Sequence, residues 1–382
     1  MKIGIDQISF YVPHTYIEMK DLALARNEDP NKYLIGLGQS QMAVPSVSQD
    51  PITLAANAAY PITKDDKENI DLILFATESG IDFSKAASTS LHALLELPHQ
   101  ARAVELKQAC YSATSALYFA ALHVQANPEK KALVIASDIS RYGLNTPGEP
   151  TQGAGSVAMT ISANPRILNF DFKSANYTDD IWDFWRPSYS DVAYVDGHYS
   201  NQQYKRLFKE TSSHYMEKYE SSFDDFDAFL FHIPYTKLGR KALQTFSDEQ
   251  SVWMKRFNDS IYYNNRVGNI YTGSLYLHLV SLLENADLPN EAKLGLYSYG
   301  SGAVGEFFSA TLTKDYQKHL RKTEHLEMLN SRQKLSIPQY EKIFKASVVQ
   351  DGTHQIFEND PHATFQLKEI KNHRRFYQKN KA

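Results

Sequence analysis

Cysteine is almost absent: Cys110 is the only one in 382 residues. That excludes an intrachain disulfide framework and any cysteine-based zinc site, and it fits a reducing compartment, so a cytoplasmic location is expected. Long apolar runs are missing too, and no stretch is long enough to span a bilayer. The amino terminus, Met1 to Phe10, carries no signal-peptide block and reads directly as a strand. A soluble protein with no membrane partner is expected. The charge balance, 40 Lys and Arg against 44 Asp and Glu, leaves no basic field for nucleic acid. Only Lys371 to Lys381 is locally basic, and it reads as a solvated end rather than a binding arm. No Ser/Gly/Pro-rich linker interrupts the chain, so any two lobes are expected to share one continuous core.

What is present is a 42% apolar chain organised as alternating strand-like and helical runs. Ile70 to Ala76 and Ala132 to Ala136 are nearly continuous apolar stretches of strand length, as expected of central strands covered on both faces. A helical run through Ser90 to Leu95 lies between them, followed by a second from the Cys110 region to about Gln125. This is an α/β layered pattern. The second half repeats it. Phe226 to His232 resembles Ile70 to Glu78, with an aspartate opening an apolar strand that ends at a functional-looking polar residue. Gly268 to Leu277 stands where the Cys110 segment stands, and Lys293 to Gly302 answers Lys131 to Asp138. An internal duplication explains the matching order and spacing. It implies a half spanning 1–165 that carries the cysteine and a half spanning 166–382 that carries His232 and Asn269. Two halves packed about a pseudo-dyad would bring Glu78, Cys110, His232 and Asn269 from equivalent strand ends toward one cleft.

Cys110 lies among small residues opening an apolar helix, where the helix dipole and unpaired amides would lower a thiol pKa and favour an acyl-accepting nucleophile. From position alone, a buried and inert cysteine explains it equally well. Glu78 read from its local string alone is better explained as a helix-start carboxylate or a salt-bridge partner. Its place after a buried-type strand, matched by His232 in the repeat, favours a base with a raised pKa. His92, His123 and His278, within helical runs, read as core-edge or surface residues.

Several strings in order carry a family resemblance: Tyr33 to Gln39, Ala76 to Ser79, Gln108 to Tyr111, Pro150 to Gly155, Val195 to Gly197, Phe231 to Tyr235, Gly268 to Thr272 and Ser298 to Ala303. Together they resemble the thiolase superfamily and, within it, the hydroxymethylglutaryl-CoA synthase family of the bacterial mevalonate pathway of isoprenoid biosynthesis. The resemblance implies a thiolase-like fold of two duplicated α/β halves in an αβαβα layering. It implies an acyltransferase condensing acetyl-CoA with acetoacetyl-CoA through an acetyl-Cys110 intermediate. Cys110, Glu78 and His232 match the family's catalytic residues. Asn269 and the Ser301 turn match groups facing the acyl carbonyls. Lys237 and Lys241 stand where CoA phosphates could be met, with Arg240 beside them as well read as a solvated cation. Asp29, Tyr142, Thr151 and Ser200 match substrate-contact positions. No metal and no cofactor beyond the CoA thioester substrates is implied, and a homodimer is. The competing enzyme is a ketoacyl synthase III-like condensing enzyme, which makes its carbanion by decarboxylation and needs no carboxylate base. A simple thiolase would need a second cysteine. A non-catalytic acyl-CoA-binding protein of the same fold would not need Cys110, Glu78 and His232 together.

Overall fold

The computed structural model describes residues 1–190 and 192–380. Nine strands build the main sheet: β1 (Ile3–Tyr11), β2 (Ile70–Ala76), β3 (Arg102–Leu106), β4 (Lys131–Ser140), β5 (Gly153–Ala163), β6 (Leu168–Thr178), β7 (Ala228–Phe231), β8 (Lys293–Gly300) and β9 (Val304–Leu312). Their spatial order is β7-β8-β9-β6-β1-β5-β4-β2-β3. The first half runs β3-β2-β4-β5-β1, with β2 parallel to β3 and β4 and antiparallel turns into β5 and β1. The second half runs β7-β8-β9-β6 with the same senses. The duplication expected from sequence is therefore visible strand for strand, except that β3 has no counterpart. The halves touch edge to edge only where Gly4 and Ile5 pair with Asn169 and Leu168. Beyond that point the strands diverge, and the two subsheets turn apart.

Strand alternation explains the layering, because side chains on one strand point to opposite faces. Leu72, Leu74 and Ala76 of β2, Val134 of β4, Leu230 of β7 and Leu296 of β8 share one central core with two helices, α3 (Ser112–Ala126) and α7 (Ser274–Asn285). Their neighbours Ile73, Phe75 and Leu133 face away, against α1 (Pro51–Thr63) and α2 (Ala87–Leu94). Phe229, Phe231 and Tyr297 face the opposite outer layer, made by α4 (Gly197–Lys218), α5 (Thr236–Leu243) and α6 (Val252–Ser260). The result is helix, sheet, helix, sheet, helix, as the resemblance implied. Small residues on α3, Ala113, Ala116, Ala120 and Ala121, are fully buried and let both subsheets close on it. Truncating a central side chain such as Leu230 to alanine would cost about 2–5 kcal/mol.

The basic carboxyl-terminal stretch departs from expectation. It forms a hairpin, Phe365–Lys371 with Arg374–Lys379, docked on α1. Phe365 is buried, Asn57 Oδ1 accepts from the Thr364 and Phe365 amides, and Asp50, the N-cap of α1, receives Arg375 at 3.1 Å and Tyr377 at 2.8 Å. Arg375 and Tyr377 anchor it on Asp50 while Lys371 and Arg374 stay exposed, so it is a docked hairpin with a solvated outer edge rather than a free end. Lys381 lies outside the described residues. Among the described residues no helix is long and apolar enough to cross a membrane.

Candidate active site

Parallel strands β2 and β4, and β7 and β8, end on the same side of their subsheets, and the expected residues gather there. Glu78 follows β2 by two residues, and His232 follows β7 directly. Cys110 stands two residues before α3, in a tight turn where the Tyr111 amide donates to the Gln108 carbonyl and the Ser112 hydroxyl to that of Ala109. Ala109 holds φ +43°, the left-handed region that disfavours a side chain. That turn aims the Cys110 thiol at Glu78, and the thiol donates to Oε1 at 2.8 Å.

Here the structure corrects the electrostatic expectation. Burial, then the charge of Glu78, pushes the Cys110 thiol well above its ordinary value, outweighing a helix that begins only at Ser112. Cys110 rests as a thiol, and its proton already points at Glu78. Glu78 behaves as expected of a base in apolar surroundings: burial and neighbouring Asp138 push its carboxyl up to about 8. Residual attraction from Arg186, which donates to the Glu78 carbonyl, acts the other way.

Asp138 was not singled out from sequence. It sits fully buried near the end of β4, and its Oδ1 accepts from the Thr77 hydroxyl at 2.8 Å and from the Glu78 and Ser79 amides, each at 2.9 Å. Its Oδ2 accepts from the Thr272 amide and hydroxyl at 3.1 and 2.6 Å. One carboxylate thus ties the Glu78 loop to the Asn269 loop. A charged residue closing an otherwise apolar strand was the available signal.

His232 is 3% exposed, its amide donates to the Tyr297 carbonyl, and its ring Nδ1 has no protein partner. Burial lowers its pKa to about 3, so the ring is neutral. Asn269 is locked from both sides. Its Oδ1 accepts from the Tyr271 amide and the Ser274 hydroxyl, both at 2.9 Å, leaving Nδ2 to reach the Tyr142 hydroxyl at 3.3 Å. Gly268 makes this approach possible. At φ +87° a Cβ there would lie 2.1 Å from the Gln152 carbonyl oxygen. Tyr142 packs edge-on against Phe184 and Tyr271, which close the pocket beside Cys110 and Glu78. Gly300 lies against the nucleophile turn: an added Cβ would be 2.6 Å from the Tyr111 amide nitrogen and from the Gln108 carbonyl oxygen. The Ser301 carbonyl receives Gln108 Nε2 at 3.5 Å.

The remaining expected residues divide. Ser200 donates to Asp183 Oδ2 at 3.0 Å, and the same buried Asp183 receives Tyr299 at 2.6 Å and the Gly302 amide at 3.0 Å, so Ser200 belongs to the scaffold of the Ser301 turn. Nothing in the sequence marked Asp183. Thr151 donates to the Gly148 carbonyl beside the Gly153–Gly268 contact. Lys237 is the second residue of α5, directly after Thr236, whose hydroxyl donates to the Gly38 carbonyl at 2.6 Å, so it borders the segment of residues 29–38. Lys241 is exposed on the same helix, whereas Arg240 is occupied by Glu249 and Asn258. Asp29 is exposed, caps the Asn31 amide at 2.9 Å and makes none of the contacts of the Cys110 cluster.

A buried thiol beside a carboxylate, with a neutral histidine and a fixed asparagine from the second half of a duplicated fold, defines a thiolase-fold condensing enzyme. Residues 1–166 match the family model "Hydroxymethylglutaryl-coenzyme A synthase N terminal", and residues 168–248 and 246–380 match "Hydroxymethylglutaryl-coenzyme A synthase C terminal". The chain belongs to the hydroxymethylglutaryl-CoA synthase family. It is 51% identical over 359 residues to the hydroxymethylglutaryl-CoA synthase of Enterococcus faecalis, covering 92% of this chain and 94% of that protein. It is 32% identical to the polyketide biosynthesis 3-hydroxy-3-methylglutaryl-ACP synthase PksG of Bacillus subtilis, covering 92% and 90%. A crystal structure of an HMG-CoA synthase complexed with CoA superposes with a TM-score of 0.96 at 44% identity over the whole of both chains.

Proposed function

We infer that the protein condenses acetyl-CoA with acetoacetyl-CoA and water to give 3-hydroxy-3-methylglutaryl-CoA and CoA, in the mevalonate route to isoprenoids. The observation that carries this reading is the 2.8 Å bond from the Cys110 thiol to a Glu78 carboxylate whose pKa stands near 8. As the sulfur attacks the acetyl thioester, Glu78 takes the thiol proton and returns it to the departing CoA thiolate. Thioester exchanges for thioester, and the methyl protons stay acidic. Glu78 then removes a methyl proton, and the enolate carbon attacks the ketone of acetoacetyl-CoA. The developing alkoxide needs a hydrogen-bond donor, and the ring N–H of neutral His232 is read as supplying it. Water finally cleaves the Cys110 thioester, releasing the carboxylate and restoring the thiol. Every step uses the chain's own groups, the two thioesters and one water.

The carboxylate beside the sulfur favours this chemistry over decarboxylative condensation, which has no proton to remove. Asn269, Ser301, Tyr142, Thr151 and Ser200 are read as shaping the acyl end, and Lys237 and Lys241 as meeting the CoA phosphates; Asp29 is the weakest of these assignments on its geometry. The halves 1–165 and 166–382 would each supply part of one cleft. A cytoplasmic homodimer is the assembly that fits. Edge strand β3 exposes Val104, α3 exposes Tyr118, Phe119 and Leu122, and the loop after Glu78 carries Phe83 at 94% exposure, large apolar side chains that a second copy would cover. Incubation with both thioesters and chromatographic analysis for HMG-CoA tests the activity. Light scattering tests the dimer, and Phe119→Lys should shift it toward monomer.

A further inference from the structure

The nucleophile turn and the Gly300–Ser301–Gly302 turn come from different halves of the repeat. An oxyanion site built from both works only if their relative position is held to a fraction of an ångström. One side chain spans that seam. Tyr111 follows Cys110, and both its Cβ and its amide nitrogen lie 2.6 Å from where a Cβ on Gly300 would stand. Its hydroxyl donates at 2.6 Å to Oε2 of Glu306 in β9, the strand that leaves the turn. Glu306 pairs across the sheet with Ser298, and the Ser298 hydroxyl accepts from Thr114, one turn further along α3, at 2.7 Å. Two polar ties therefore bind the start of α3 to the β8–β9 hairpin on either side of the Ser301 turn. Glu306 has no cationic partner among the described residues. Burial pushes its carboxyl up, and hydrogen bonds from Tyr111 and then Ser174 act the other way.

We propose that Tyr111 and Glu306 are positioning residues that set the Cys110 amide against the Ser301 turn, and so set how strongly the acetyl-Cys110 carbonyl is polarised. The proposal rests on the reading of Cys110 as the acetyl carrier. Removing an oxyanion donor outright costs about 10²–10³ in kcat, and displacing two intact donors should cost less, about tenfold. Binding of the CoA body is remote from the seam, so KM for acetyl-CoA should stay within about twofold.

The test compares wild type, Tyr111→Phe and Glu306→Gln, each loaded with carbonyl-labelled acetyl-CoA, by isotope-edited infrared spectroscopy and by single-turnover acetylation. The wild-type acetyl-enzyme should show a carbonyl stretch lowered relative to free acetyl thioester. Tyr111→Phe should move it back toward the free value and slow acetylation about tenfold with KM held, while Glu306→Gln, which keeps an acceptor, should fall between the two. If Tyr111→Phe does not fold, Glu306→Gln reads the same displacement. An unmoved band and an unchanged rate in the folded variants would overturn the proposal and leave the carrier reading intact. A wild-type protein that takes no acetyl label would overturn the carrier reading itself.

Discussion

Glu78→Gln should make the protein more stable while stopping its chemistry, and the gain should depend on pH in a defined way. Burial and Asp138 lift the carboxyl from 4.5 to about 8 in the folded protein. Between those values the folded state holds a proton that the unfolded state has released, so wild-type stability falls as pH rises through the window. The cost is absent below 4.5 and complete above 8. A difference of about 3.5 units at about 1.4 kcal/mol each sets an upper bound of about 5 kcal/mol at pH 9, and about 3 kcal/mol at pH 7. Residual solvent contact of the half-buried Glu78 lowers both. Glutamine keeps the shape and an acceptor for the Cys110 thiol but carries no charge, so the variant escapes the penalty. Urea unfolding of both proteins at one protein concentration, from pH 5 to 9, measures the difference directly. A gain that grows through the window and levels off above pH 8 supports the assignment. A gain independent of pH, or a wild type that strengthens with pH relative to the variant, would refute the raised carboxyl.

Four further outcomes are expected. His232, lowered to about 3 by burial, should show no imidazole titration by NMR between pH 5 and 8; its folded-state pKa lies below the ordinary 6.5, so its contribution to stability is lost as pH falls through that interval toward 3. His232→Ala should weaken use of acetoacetyl-CoA while sparing acetylation of Cys110, a split that single-turnover kinetics resolves. Asp138→Asn should cost about 3 kcal/mol in urea unfolding, since one amide nitrogen must then face donors that a carboxylate oxygen accepted, and condensation should fall with it. Gly268→Ala should cost more than about 1–3 kcal/mol, because the backbone at φ +87° and the Gln152 carbonyl both oppose the new methyl, and condensation should drop as Asn269 moves.

The layered α/β plan and the duplication were legible because they rest on local pattern. Apolar strands such as Ile70 to Ala76, buried on both faces, differ plainly from amphipathic runs, and the same order appears twice. The placement of Cys110 beside Glu78, and of His232 at a strand end, was legible because each follows or precedes such an element. The thiol's raised pKa was not, since it depends first on burial and then on a carboxylate 32 positions away, and only the folded turn supplies both. Asp183 was invisible for the same reason. Its partners Ser200, Tyr299 and Gly302 are remote in sequence, and a buried carboxylate satisfied by neutral donors leaves no local mark. The carboxyl-terminal hairpin was misread because its basic composition outweighed two aromatic residues, Phe365 and Tyr377, that pack it onto α1.

The central claim is that Cys110 carries the acetyl group and Glu78 moves its protons. Intact-protein and peptide mass spectrometry after incubation with acetyl-CoA alone, followed by addition of acetoacetyl-CoA, tests it most directly. Wild type should gain one acetyl group on the peptide containing Cys110 and release it as HMG-CoA when the second substrate arrives. Glu78→Ala should hold the label without forming product, and Cys110→Ser should do neither. Product formed by Cys110→Ser at near the wild-type rate, or by wild type with no acetyl on Cys110, would contradict the account.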